Sequence, residues 1–93
     1  MADRRIIYRV HAVQRMFERG IDTAAIQQVL EVGEVIETYP NDKPYPSRLL
    51  LGMVNDRPLH VVAADHPAGE EIVVITVYEP DPLRWDAAFR RRR

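Results

Sequence analysis

Four side chains in this 93-residue chain could together move a proton and steady a developing negative charge: His11, Arg15, His60 and Tyr78. Histidine titrates near neutrality. Arginine offers a planar, permanently charged fork that suits phosphate, and a tyrosine hydroxyl can donate or orient. His11 and Arg15 stand at i and i+4, so a helix makes them neighbours. The same face can equally be a solvated one with Arg15 paired to Glu18. His60 interrupts the apolar run Leu59 to Ala64, where it is either on an open sheet face or a hydrogen-bonded core histidine.

Other chemistries find few residues. The absence of cysteine excludes a disulfide scaffold, a thiolate zinc site and a cysteine nucleophile. The three histidines have neither HxxxH spacing nor a carboxylate at ligand spacing, and His66, beside Pro67, reads as a solvated turn residue. Ser47 is the only serine, and there is no glycine-rich phosphate loop and no pair of catalytic carboxylates. No metal and no cofactor is expected.

The elements that must position these groups follow from periodicity. Arg5 to Arg9 is a candidate short first strand. Over His11 to Arg19, Val13, Met16 and Phe17 gather on one side of a helix, with His11, Arg15, Glu18 and Arg19 on the other. Gly20 supplies a left-handed stop, and Asp22 caps a second helix that ends at Gly33. Glu34 to Tyr39, Arg48 to Val54, Leu59 to Asp65 and Glu71 to Glu79 read as strands, with Pro40, Pro44 and Pro46 in a loop after the first. Short turns between them make an antiparallel meander.

The predicted fold is therefore α+β in one domain, residues 1–93: two N-terminal helices on a four-stranded antiparallel sheet, then a short helix over Leu83 to Phe89 with Trp85 and Phe89 inward. On the last strand Val73, Ile75 and Val77 are the expected helix-facing set, leaving Ile72, Val74, Thr76 and Tyr78 on the working face. If the 66–70 turn pairs position 60 with 76, His60 and Tyr78 share a face as diagonal neighbours. Arg48 joins them only if the turn after Val54 has three residues, because a two-residue turn flips it.

An apolar fraction of 46% suits a globular chain. A charged start with no long apolar run predicts neither a signal peptide nor a membrane span. The lack of cysteine agrees with a reducing, cytoplasmic setting. The net charge of -1 hides a pattern: residues 1–20 carry +3, residues 21–83 carry -8 and residues 84–93 carry +4. A basic patch forms if the two ends meet, although Arg90 to Arg93 read most simply as a solvated tail.

Several segments resemble a bacterial family, the domain of unknown function 4258. They are His11-Ala12-x-x-Arg15-Met16-x-Glu18-Arg19-Gly20-Ile21, Gly33-Glu34-Val35-Ile36-Glu37-x-Tyr39, Pro44-Tyr45-Pro46-Ser47, Leu59-His60-Val61-Val62 and Ile75-Thr76-Val77-Tyr78-Glu79-Pro80-Asp81. Val10 departs from the pattern, standing where a small hydroxyl residue would cap the first helix. The family looks like the RelE/ParE-like toxins, some of which cut RNA and are held by a cognate antitoxin. The resemblance implies a toxin-like ribonuclease; the residues themselves then suggest metal-independent general acid–base catalysis by His11, Arg15, His60 and Tyr78, with Arg19, Arg48, Arg90 and Arg91 as candidate RNA contacts. The alternative is a non-catalytic module that binds protein or nucleic acid.

Overall fold

A computed structural model describes residues 4–93; residues 1–3 of the charged start lie outside the described part. The chain runs β1 (Arg5–Tyr8), α1 (Val10–Arg19), α2 (Thr23–Val32), β2 (Glu34–Tyr39), β3 (Ser47–Val54), β4 (Arg57–Asp65) and β5 (Glu71–Tyr78). Gly20 ends α1 in the left-handed region at φ 63°, and the Ile21 N–H closes the cap on the Met16 carbonyl at 2.9 Å. Asp22 Oδ1 accepts the Ala25 N–H at 2.8 Å and starts α2. With Val10 at its first position, α1 has Arg9 as N-cap and no side-chain cap.

The sheet has five strands in the order β1-β5-β4-β3-β2. This corrects the expected four-stranded antiparallel sheet. The β2–β5 meander is antiparallel, but β1 adds to the outer edge of β5 in parallel, Arg5 opposite Glu71 and Tyr8 opposite Val74. Satisfying that edge is what β1 contributes. A parallel entry lets the chain continue directly into α1, whose Ala12 then reaches the core.

The helices cover one face, α1 along β5 and α2 across β3 and β4. Ala12, Ile26 and Val29 pack there on Leu50, Leu59, Val61, Val74 and Val77. The expected face of β5 is partly inverted. The register of β4 and β5 shifts by one residue between Val62 and Ala63, leaving Ile75 as the extra residue. Val74 therefore faces the helices and Val73 does not, while Thr76 and Tyr78 stay on the other side. In α1 it is Ala12 and Met16 that turn inward. Val13 and Phe17 stay exposed, Phe17 at 90%.

The expected C-terminal helix is also absent. The Asp81 carbonyl accepts the N–H groups of Arg84 and Trp85 at 2.9 and 3.0 Å, but the turn does not propagate. Asp86 Oδ1 instead takes the Arg90 N–H at 3.0 Å, Phe89 adopts φ 61°, and the chain reverses so that Arg92 bridges to Trp85. A short carboxylate that bonds nearby backbone offers an alternative to helix, and here it prevails. Residues 81–93 become a strap across the helix-free face.

Val29 fixes the seat of α2. A Cβ added at Gly52 would lie 2.6 Å from Val29 Cγ2, and Val29 is fully buried. A β-branched side chain in a helix has little rotameric escape. Gly52→Ala is expected to cost about 1–3 kcal/mol in urea denaturation, and adding Val29→Ala should recover part of the loss. Undiminished stability in Gly52→Ala would refute this account.

Candidate active site

Register decides which groups meet. Opposite pairing places Leu51, His60 and Tyr78 in one row across the helix-free face, with Glu34 at its end. The next row holds Glu37, Leu49, Val62 and Thr76, and Tyr39 lies opposite Ser47 in the third. The strap closes over the first two rows. Trp85, 3% exposed, packs edge-on to the His60 ring at 4.4 Å.

His60 is fully buried. Its Nε2 lies 2.8 Å from the Phe89 carbonyl and its Nδ1 3.2 Å from the Tyr78 hydroxyl. A carbonyl only accepts, so Nε2 carries the proton and Nδ1 receives the Tyr78 O–H. Burial holds the imidazole below its ordinary value of 6.5, against the opposing pull of the Phe89 carbonyl. The ring is therefore a neutral linker between strap and sheet, and its contact to the site runs through Tyr78. Burial also raises the Tyr78 phenol.

The solvent-facing chemistry lies beside it. Tyr39 donates its hydroxyl to Glu37 Oε1 at 2.7 Å, and Arg92 Nε stands 3.4 Å from Glu37 Oε2. Burial, reinforced by the Glu37 carboxylate, pushes Tyr39 up to about 12. The Arg92 guanidinium lies 4.6 Å above the Trp85 ring. Carboxylate, guanidinium and two phenols thus converge where strap meets sheet.

The structure brings His60 and Tyr78 together and does not bring His11 or Arg15 to them. Those two lie exposed on α1, in the helix layer on the opposite face, with Arg15 Nη1 3.6 Å from Glu18. Arg48 is turned away as well. The connection after Val54 is the two-residue turn Asn55-Asp56, both residues at positive φ, so Arg48 lies opposite Ala63 and pairs with Asp65 at 3.1 Å. Arg90 joins the strap to the sheet through Glu34 at 2.8 Å, whereas Arg19 and Arg91 are exposed. The sequence reading missed Glu37, Tyr39 and Arg92. Glu37-x-Tyr39 places an acid and a phenol on one strand face, a signal that was available; nothing local indicated Arg92.

The buried histidine makes stability pH-dependent. Below 6.5 the unfolded chain binds a proton at His60 that the folded chain, with its depressed value, does not. Stability therefore rises with pH across this window and is lost as pH falls through it. Asp42, Asp65 and Asp86 are also held down, from 3.8, so their losses come at lower pH. The urea midpoint should fall from about pH 7.5 to about pH 5.5, and His60→Gln should flatten that fall. An unchanged slope in the variant would count against the assignment.

Among the described residues no group of three or more His, Asp or Glu side chains is placed to hold a metal ion, and no helix is long and apolar enough to cross a membrane. A family model described as "Domain of unknown function (DUF4258)" matches residues 8–79. No curated protein matches, and no solved structure does.

Proposed function

Since the chain belongs to the DUF4258 family, we propose that it is a toxin-like, metal-independent ribonuclease whose working surface is the helix-free face at the edge of the strap. The observation that carries this reading is the convergence of Glu37, Arg92, Tyr39 and Tyr78 there. Glu37 takes the proton from a ribose 2′-hydroxyl, whose oxygen then attacks the adjacent phosphorus. Arg92 pairs with the phosphorane oxygens. The bond from phosphorus to the 5′ oxygen breaks, and Tyr78, turning its O–H away from His60 Nδ1, protonates that oxygen, an alkoxide being a stronger base than a phenolate. The products are a 2′,3′-cyclic phosphate and a 5′-hydroxyl. His60 acts as a positioning residue through Tyr78 and touches no substrate. Kinship with the RelE/ParE-like toxins, a cognate antitoxin and a cytoplasmic site of action belong to the same proposal.

A second reading, a non-catalytic binding module, is favoured by the full burial of His60 with both ring nitrogens bonded. Incubating the purified protein with single-stranded RNA in excess EDTA separates the two. Cleavage that leaves cyclic phosphate ends supports the enzyme, and an inert wild-type protein on structured and unstructured RNA supports the module.

A further inference from the structure

A depression of about 290 Å³ adjoins the Glu37–Arg92 pair and is lined by Tyr78, Glu79, Asp81, Arg84, Trp85 and Arg92. Its size is at the small end for a ligand pocket and suits part of one nucleotide. Its polar groups are of two kinds. Arg84 and Arg92 supply guanidinium groups, and Arg84 has no carboxylate partner among the described residues. Glu79 and Asp81 are each half engaged. Glu79 Oε1 accepts from Arg57 Nε at 2.6 Å, Asp81 Oδ1 accepts the Leu83 N–H at 2.9 Å, and the second oxygen of each has no partner among the described residues. A ligand that satisfies both kinds carries an anion at one part and hydrogen-bond donors at another.

We infer that this depression is a nucleotide subsite, which holds one ribonucleotide next to the scissile bond with its phosphate on Arg84 and Arg92 and a guanine edge toward Glu79 and Asp81. The inference rests on the proposed ribonuclease reading and names a substrate preference for it. Arg92 is common to both places, so a phosphate held there puts the attached nucleoside in the depression. Ionised carboxylates only accept hydrogen bonds. Guanine presents adjacent N1–H and N2–H donors to them. Uracil flanks its one N–H with two carbonyls, which the carboxylates repel. Adenine and cytosine offer an amino group beside an acceptor nitrogen. Tyr78 provides an aromatic wall for the base.

Trp85 is the only tryptophan in the chain and lines the depression, so its fluorescence reports occupancy. The test titrates the full-length protein with guanosine 3′-monophosphate, uridine 3′-monophosphate, guanosine and inorganic phosphate, with calorimetry as a second readout. Guanosine 3′-monophosphate should bind saturably and most tightly. Arg84→Ala should weaken it by about 10-fold or more, the scale of one lost charge-assisted hydrogen bond, while circular dichroism stays unchanged. Equal affinity for inorganic phosphate, equal affinity for the uridine nucleotide, or an Arg84→Ala variant that binds as tightly as wild type would overturn the subsite. Nucleotide binding by a protein that cleaves no RNA would uphold the subsite and remove the catalytic reading. Cleavage without any nucleotide binding would do the reverse.

Discussion

RNA cleavage in excess EDTA is expected to fall by ~10²–10⁴ when Glu37 is replaced by Gln, the usual cost of removing a general base. Glu37→Gln keeps the shape and a carbonyl oxygen for the Tyr39 hydroxyl, so the bond of 2.7 Å has a substitute acceptor and the fold should survive. What disappears is the group that takes the proton. Arg92→Lys should also be impaired, because an ammonium cannot spread over Trp85 and present a planar fork together. His11→Ala and Arg15→Ala should cleave nearly as wild type, since both residues lie in the helix layer behind the sheet. This pattern separates the two faces as no single variant does. Loss of activity in folded His11→Ala with full activity in Glu37→Gln would move the site to α1 and end the present assignment.

Trp85→Ala should have the largest effect on stability, about 3–5 kcal/mol for removing a large buried aromatic. Small domains are stable by only about 5–15 kcal/mol, so the variant would be close to unfolding at physiological temperature. The ring is 3% exposed, meets His60 at 4.4 Å and carries Arg92 on its face at 4.6 Å. Removing it empties the space between strap and sheet and frees Arg92 together with the Phe89 carbonyl. Leu83→Ala is the control: Leu83 is in the same strap but 83% exposed, and its loss should stay within about 0.5 kcal/mol. Urea denaturation followed by circular dichroism measures both, because Trp85→Ala has no tryptophan signal. Equal midpoints for the two variants would show that the strap is merely laid on the surface.

The path of that strap marks where reading from residues stopped. Leu83 to Phe89 has helical spacing of its aromatic residues, and that spacing alone predicts a helix with Trp85 and Phe89 inward. Trp85 is buried, but Asp86 diverts the backbone, and it is the Phe89 carbonyl that reaches His60. The four arginines at the end read as a solvated tail because their acidic partners are remote in sequence. Arg90 finds Glu34 and Arg92 finds Glu37, both on the far edge strand.

The sequence by itself determined the elements as far as β5, but not the strap that follows. Gly20, Asp22 and Gly33 bracket two helices, and Asn55 and Asp56 tolerate the positive φ of a tight hairpin. These signals act over a few residues, through backbone sterics and local hydrogen bonds. Tertiary structure decided the pairing and the faces. No turn joins β1 to β5, so its parallel docking has no local mark. One extra residue at Ile75 exchanges the faces of Val73 and Val74, and the two-residue turn sends Arg48 to the helix side. Side chains alternate with a period of two, so a single-residue shift, settled by which surface buries best against the helices and the strap, determines which groups can meet.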